Sequence, residues 1–305
     1  MNGIWSYKSL AKVPKDFRLS LSEGNTPIKQ LTVAEQLVMV KDENSNPNGS
    51  FKDRSLAYQI SNYIAQGKTK FVISSSGNAA ISAAAYVGLA GGSLTVFVSD
   101  QINPLKLAKL NELVDDKIEL IQSKKAKSDA VLFAKENDCI NLRGSQDQTA
   151  IDGFKTIAYE IIEQFPEIDS IFLPCSSGTS AIGIHKGFKE HKKNVRIFIC
   201  QTTKICPMAS IFDKDYVKSE KSFADAITDR VALRKDEVVQ IVKLSGGSGI
   251  VVNDAYLYQA KTLAESQNLY YSYNSLLALA GFMKFKASAN SNNQVFNPLV
   301  LASGL

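Results

Sequence analysis

The sequence predicts an α/β protein with two lobes, each a mostly parallel twisted sheet that carries helices on both faces. Short β-rich apolar runs alternate with helical patterns along the chain, and such alternation is typical of parallel sheets. The predicted strands are KFVISSS, LTVFVSD, SIFLPC and VRIFICQ, and the helices that follow them are AAISAAAYVGLAG, PLKLAKLNELV, SAIGIHKGFKEH and CPMASIFD. The pattern is interrupted near residues 143–150, where we place a boundary between two lobes. We expect a smaller domain over 50–145 and a larger one over 1–49 plus 146–305.

Composition places the chain among ordinary globular proteins, with 305 residues, 45% of them hydrophobic, 21% charged and a net charge of +5. Its basic clusters lack interleaved aromatic residues, so we expect a solvated surface there rather than a nucleic-acid site. No apolar run approaches the roughly 20 residues that cross a bilayer, and the amino terminus lacks a secretory pattern. The four cysteines are scattered without metal-site spacing. These features predict a reduced cytoplasmic protein that holds no metal.

Two other segments carry clear local patterns. The strongest helical pattern is IDGFKTIAYEIIEQF, in which Ile151, Phe154, Ala158 and the pair Ile161/Ile162 recur on one side. The segment SGGSG at 245–249 resembles a glycine-rich phosphate loop, but no apolar helix opens directly on it. We therefore predict a turn between two strands at 245–249.

The most informative stretch is NPNGSFKDRS at 46–55, which places Lys52 directly after Gly49, Ser50 and Phe51 at the start of an amphipathic helix. A helix N-terminus presents partial positive charge, and an adjoining aromatic ring removes water. Both effects favour the neutral amine, the form in which a lysine attacks a carbonyl to make an imine. Taken alone, the stretch is equally well explained as a turn followed by a surface lysine.

Three loops follow predicted strands at the sheet edge where proteins of this class bind ligands. The loop SSSGN at 74–78 combines hydroxyls with helix-start N–H groups that suit a carboxylate, although helix capping explains the same residues. The loop CSSGTS at 175–180 suits a phosphate monoester and lacks the lysine of a nucleotide P-loop. The segment LVLASGL would bring the hydroxyl of Ser303 to the same edge, although a plain chain end is the better explanation of that segment alone.

Together these features match the needs of pyridoxal 5'-phosphate. The lysine would form the imine, the CSSGTS loop would hold the phosphate, and the amide of Asn78 would meet the ring oxygen. A neutral hydroxyl at the ring nitrogen, in place of a carboxylate, leaves the pyridine largely unprotonated. Such a ring favours elimination and replacement chemistry over transamination.

The sequence resembles the fold-type II pyridoxal-phosphate enzymes, and within them threonine synthase. The motifs EGNTP, NP-x-GSFKDR and S-x-GN occur in the order and spacing of that family. The resemblance implies that the cofactor lies between the lobes on Lys52, beside Phe51, with Asn78 at the ring oxygen and Ser303 at the ring nitrogen. The other implied residues are Ser75, Ser76 and Gly77 at the substrate carboxylate, and Ser176, Ser177, Gly178, Thr179 and Ser180 at the phosphate.

The resemblance also implies an activity, a cytoplasmic lyase of amino-acid biosynthesis that converts O-phosphohomoserine to threonine and phosphate. We expect a homodimer that takes a small amino-acid substrate and binds neither nucleic acid nor a membrane. Ala150 stands where threonine synthases usually present an arginine, and the CSSGTS loop is closer to the GTGGT of cysteine synthases. Both departures favour an alternative that eliminates or replaces at the β carbon, as serine/threonine dehydratases and cysteine synthases do. The third alternative is a catalytically idle relative, which the intact Lys52 disfavours.

Overall fold

The computed structural model describes residues 3–288 and 295–304, so Leu305 lies outside the described residues. The strands of this part of the chain are β1 (Ile28–Val33), β2 (Gln36–Asp42), β3 (Lys70–Ser74), β4 (Ser93–Ser99), β5 (Ile118–Ser123), β6 (Ile140–Asn141), β7 (Ser170–Pro174), β8 (Arg196–Thr202), β9 (Gly249–Val252) and β10 (Pro298–Ala302). The α-helices are α1 (Lys52–Ile64), α2 (Asn78–Leu89), α3 (Pro104–Asn111), α4 (Ala126–Glu136), α5 (Thr149–Gln164), α6 (Thr179–Glu190), α7 (Lys235–Ser245), α8 (Asp254–Ser266) and α9 (Tyr273–Ser288).

The predicted alternation of strands and helices is confirmed. The four apolar runs overlap β3, β4, β7 and β8, and α2, α3 and α6 follow the first three of these strands. The predicted helix IDGFKTIAYEIIEQF lies within α5 apart from its final phenylalanine. Of its periodic residues, Ile151, Phe154, Ala158 and Ile161 are buried and Ile162 is half-buried. The prediction of an α/β protein with mostly parallel sheets is therefore correct.

The segment CPMASIFD, predicted as a helix, forms only the short 3-10 turn Ala209–Ile211. The side-chain oxygen of Gln201, at the end of β8, accepts hydrogen bonds from the backbone N–H groups of Met208 at 2.9 Å and Ala209 at 2.8 Å. These bonds tie the segment to the strand instead of leaving its N–H groups for successive helical turns. The helix prediction was wrong because the hydrogen bonds to this one side chain of β8 hold the segment in a non-helical conformation, despite its short helical pattern.

The turn between two strands predicted at 245–249 is also wrong, because the residues before it belong to α7 rather than to a strand. Gly246 ends the helix in the left-handed conformation, with φ of +72°, which glycine adopts without strain. A Cβ on Gly247 would lie 1.9 Å from the carbonyl oxygen of Ile197 in β8. The glycines thus serve a helix-to-strand connection that runs close against the backbone of β8.

One compact unit contains residues 3–25 and Asn46–Gly153. Its sheet has the order β5-β4-β3-β6 with every pair parallel. The amino-terminal residues pack on its core: the Trp5 ring lies 6.0 Å from the Tyr58 ring, and the Trp5 indole N–H donates to the Leu19 carbonyl at 2.8 Å. The buried Glu23 of the EGNTP motif accepts a hydrogen bond from the Tyr86 hydroxyl of α2 at 2.8 Å. These contacts fix the segment before β1 on this unit.

The other compact unit contains Thr26–Ser45 and residues 154–304. Its sheet has the order β1-β2-β10-β7-β8-β9, in which only the β1–β2 pair is antiparallel. The register places Leu299 of β10 opposite Met39 on one side and Ile171 on the other. The core beneath contains the stacked rings of Phe172 and Phe198, whose centroids lie 4.4 Å apart. The segment LVLAS thus contains a central strand, so the explanation of a plain chain end does not hold.

The domain boundaries at 50 and 145 stay a prediction, and the compact unit that contains 50–145 also takes in residues 3–25 and extends to Gly153. Among residues 3–288 and 295–304, no helix has the length and apolar character needed to cross a membrane.

Candidate active site

The loop before α1 is a tight turn that places Lys52 at the first position of the helix. Gly49 has a φ of +75°, and its N–H donates to the Asn46 carbonyl at 2.8 Å. The carboxylate of Asp53 accepts hydrogen bonds from the backbone N–H of Asn48 at 2.7 Å and from the amide nitrogen of that residue at 2.9 Å. Asp53 lies in the first turn of α1, so the helix start itself holds the loop, and Lys52 begins α1 as the sequence predicts.

The Lys52 amine lies in an environment that favours its neutral form. Although part of the residue is accessible to solvent, burial lowers the pKa of Lys52 from 10.5 to about 8. The Nζ atom lies 5.0 Å from the centroid of the Phe51 ring. At a desolvated site such a contact favours the charged amine by about 2 kcal/mol, whereas the pKa shift corresponds to about 3 kcal/mol in the opposite direction. Desolvation is therefore the larger effect, and the amine becomes a usable nucleophile near neutral pH.

The SSSGN loop leaves β3 at Ser74 and enters α2 at Asn78. Gly77 precedes the helix; its N–H donates to the Ser75 hydroxyl at 3.3 Å, and its carbonyl accepts from the N–H of Ala80 at 2.9 Å. A Cβ on Gly77 would meet no atom within 4 Å, so the space beside this backbone is open. Ser76 is exposed, and Asn78 is half-buried. A helix start with hydroxyls and open space can receive a carboxylate.

The CSSGTS loop leaves β7 and enters α6 at Thr179. Gly178 has a φ of +91°, and a Cβ on it would lie 2.5 Å from Cγ2 of Val238. The hydroxyls of Ser177 and Thr179 are 3.0 Å apart, on either side of this glycine. Ser180, the second residue of α6, is buried. Backbone and hydroxyl donors grouped at the start of a twelve-residue helix suit a phosphate dianion.

A basic residue lies beside this loop that the sequence reasoning did not identify. A Cβ on Gly178 would lie 3.6 Å from Cβ of Arg234, a buried residue immediately before α7. Arg234 stands more than 50 positions after the loop, in an irregular segment without a motif, so no pattern of the sequence links the two.

Ser303 is buried and directly follows β10, which pairs with β7. The next residue, Gly304, is held at both of its backbone groups by Ser275 of α9. The Ser275 hydroxyl donates to the Gly304 carbonyl at 2.7 Å and accepts from the Gly304 N–H at 2.9 Å. The Ser272 hydroxyl also donates to this carbonyl, at 2.8 Å. Ser303 therefore has a defined position at the carboxyl end of a central strand.

The structure groups the predicted residues into two sets, one in each compact unit. Lys52, Phe51 and residues 75–78 belong to the first unit. Residues 176–180 and Ser303 belong to the second, where they follow the neighbouring parallel strands β7 and β10. The donor set fits pyridoxal phosphate: a depressed-pKa amine, hydroxyl and N–H donors for a dianion, and a neutral hydroxyl for a pyridine nitrogen.

Comparisons with known proteins agree with this chemistry. The family model described as pyridoxal-phosphate dependent enzyme matches residues 19–297. The threonine synthase of Methanocaldococcus jannaschii is 27% identical over 92% of this chain and 75% of its own length. That of Halalkalibacterium halodurans is 27% identical over 93% of this chain and 83% of its own.

Solved structures of low sequence identity share the fold. Maize serine racemase superimposes with a TM-score of 0.80 and 20% identity, covering 99% of this chain and 93% of its own. Isoform 2 of threonine deaminase from Solanum lycopersicum, in its processed form, gives a TM-score of 0.76 and 19% identity, covering 99% of this chain and 89% of its own.

Proposed function

Because this chain belongs to the pyridoxal-phosphate-dependent enzyme family, we propose that it is an amino-acid lyase with the activity of a threonine synthase. The observation that carries the proposal is Lys52, whose amine lies at the first residue of α1 with its pKa lowered to about 8. Neither a turn nor a helix start requires a lysine with a desolvated amine. The amine is therefore best explained as the group that holds the cofactor.

Each predicted residue takes one role in this proposal. Pyridoxal phosphate, when bound, withdraws electrons from the bonds around the α carbon of an amino acid. Lys52 would hold it through the ε-amine and, once the substrate amine has displaced that amine, would remove and return protons at the α and β carbons. The hydroxyls and N–H groups of 75–77 would orient the substrate carboxylate, and Asn78 would donate to the ring oxygen. Residues 176–180 would hold the phosphate, and Ser303 would face the ring nitrogen.

The substrate we propose is O-phosphohomoserine, which would lose phosphate from the γ carbon and gain water at the β carbon to give threonine. Support comes from the relatives named threonine synthase, which match more than 90% of this chain, and from the motifs EGNTP and NP-x-GSFKDR.

Trapping the cofactor tests the role of Lys52. Borohydride added to the protein loaded with pyridoxal phosphate should fix the cofactor to Lys52, as peptide mass mapping would show. Lys52→Ala should carry no fixed cofactor. Lys68→Ala is the matched control, because the amine of that surface lysine forms an exposed ion pair with Asp138 at 3.2 Å. Fixation at another lysine in the wild-type protein would refute the assignment.

A second candidate function is elimination or replacement at the β carbon. The observation that favours it is Ala150, which is fully buried and brings no cationic side chain for a substrate phosphate. Its carbonyl accepts a hydrogen bond from the Ser55 hydroxyl at 2.8 Å, which fixes this part of α5 against α1.

Parallel assays separate the two candidates. The protein is incubated with O-phosphohomoserine, with O-acetylserine plus sulfide, and with serine or threonine; phosphate and threonine, cysteine, and 2-oxo acids are then measured. Release of phosphate together with threonine supports the first proposal. Formation of cysteine or a 2-oxo acid without threonine would favour the second candidate function. Absence of product from every substrate would refute both.

A further inference from the structure

Residues 222–234 form an irregular segment without helix or strand, which we call the strap. Buried and exposed positions alternate along it. The buried positions are Ala224, Ile227, Asp229, Ala232 and Arg234. Ala224 and Ile227 belong to the hydrophobic core of the second unit, so the strap packs on that core as well as joining two elements.

Side chains at the starts of two helices hold the first half of the strap. The carboxylate of Asp254, at the start of α8, accepts from the Ser222 hydroxyl at 2.9 Å and from the Phe223 N–H at 3.1 Å. The amide oxygen of Asn274, in the first turn of α9, accepts from the Ala226 N–H at 2.9 Å. Because the strap has no helical or sheet hydrogen bonds, these side chains supply acceptors for its hydroxyl and backbone N–H groups.

The second half is held by the proposed phosphate loop. The Ser176 hydroxyl oxygen accepts from the N–H of Thr228 at 3.1 Å and from that of Asp229 at 3.3 Å. A serine hydroxyl has two acceptor positions and one proton, so both acceptor positions are in use. Within the described part of the chain, this hydroxyl donates to no acceptor.

A phosphate oxygen in the loop would be an acceptor for that proton. Hydrogen bonds that share one hydroxyl polarise each other, because donation to an anion makes the oxygen a better acceptor. Phosphate in the loop and the two strap N–H groups would therefore strengthen each other through a single oxygen atom. The hydroxyl of Ser177 differs, since it contacts Thr179 at 3.0 Å and no N–H of the strap.

We propose that Ser176 is a positioning residue that couples occupancy of the phosphate loop to the order of the strap. The inference rests on the proposed function, because it takes the CSSGTS loop as the phosphate site. Binding of the cofactor stabilises the strap at 228–229, and the strap in turn stabilises the loop that holds the cofactor. The coupling is reciprocal, as any binding linkage must be.

Hydrogen exchange at the Thr228 and Asp229 amides tests this coupling. The wild type and the variants Ser176→Ala, Ser176→Thr and Ser177→Ala are each measured at saturating pyridoxal phosphate and after its removal. We expect the cofactor to slow exchange at the two amides of the wild type by about 2- to 12-fold, which corresponds to the strength of one neutral hydrogen bond. Ser176→Ala should lose this slowing, Ser176→Thr should restore it, and Ser177→Ala should keep it.

The outcomes separate this inference from the proposed function. If Gly178→Ala and Ser177→Ala bind pyridoxal phosphate as tightly as the wild type, the loop is not the phosphate site and the proposed function loses that part. The coupling alone is refuted if those variants bind pyridoxal phosphate more weakly but the cofactor leaves hydrogen exchange at 228–229 unchanged in the wild type. It is also refuted if the cofactor slows this exchange in Ser176→Ala as much as in the wild type.

Discussion

Gly178→Ala is the sharpest test of the proposed phosphate loop, because the structure gives two independent reasons why only glycine fits. A φ of +91° is strained for any residue with a Cβ, and the added Cβ would lie 2.5 Å from Cγ2 of the fully buried Val238. The conformation costs about 1–2 kcal/mol and overpacking about 1–3 kcal/mol. We expect the free energy of unfolding to fall by about 2–5 kcal/mol, the sum of these two.

Cofactor binding should suffer as well, because the loop must move to relieve the contact and its donors then leave their positions. We expect the dissociation constant of pyridoxal phosphate to rise at least about tenfold, equivalent to 1.4 kcal/mol. The assays are urea unfolding followed by circular dichroism and a titration followed by the visible absorption of the bound cofactor.

Two controls isolate the cause. Gly77→Ala places a Cβ where no atom lies within 4 Å and where φ is −149°, so its unfolding free energy should stay within about 0.5 kcal/mol of the wild type. Val238→Ala, combined with Gly178→Ala, removes the contact and leaves the strain, so the double-mutant cycle should show a favourable coupling of about 1 kcal/mol or more. Wild-type cofactor affinity in Gly178→Ala, or no coupling in the cycle, would refute the reasoning.

Three further predictions concern the residues around the two loops. In the cofactor-free protein labelled by 13C reductive methylation, the Lys52 amine should titrate with a midpoint of about 8. At pH 7 its neutral fraction should then exceed that of an ordinary lysine by about 250-fold. A midpoint above 10 would contradict the burial of the amine. Ser303→Ala should keep the cofactor but lower turnover by about 2- to 12-fold, the loss of one neutral hydrogen bond, and unchanged turnover would mean that the ring nitrogen has another partner. Ser275→Ala should speed hydrogen exchange at the Gly304 amide and lower the free energy of unfolding by about 1–3 kcal/mol, because both backbone groups of Gly304 lose a partner. An unaltered exchange rate would contradict the anchoring of Gly304 by Ser275.

The loops that follow strands were predictable from the sequence because the residues that define them are adjacent in the chain. Hydroxyls and glycine between a β-rich run and a helical run predicted the junctions at 74–78 and 175–180, and the structure has β3–α2 and β7–α6 there. The position of Lys52 at a helix start was predictable for the same reason. The roles of these residues stay predictions that the assays above address.

The contacts that hold the loops were not predictable, because they join residues distant in sequence. Nothing near Ser176 indicates that its hydroxyl accepts from Thr228, and nothing near Gly304 indicates that Ser275 holds it. The SGGSG error arose differently: an apolar stretch as short as IVKL fits a strand or a buried helix turn equally well. Packing against β8 decided the matter in favour of the helix.

The order in which a ribosome delivers this chain has a consequence for the second sheet. Met39 of β2 pairs with Leu299 of β10, although the two lie far apart in sequence. Strand β2 therefore leaves the ribosome long before its neighbour β10. At bacterial to eukaryotic elongation rates the interval is roughly 10–50 seconds, during which all of residues 46–153 are also made. Until β10 is made, the β1–β2 hairpin presents the unpaired backbone N–H and C=O groups of β2, and such a strand edge can seed aggregation. A nascent chain halted before β10 should therefore engage chaperones through 26–45, while the four-stranded unit already resists protease.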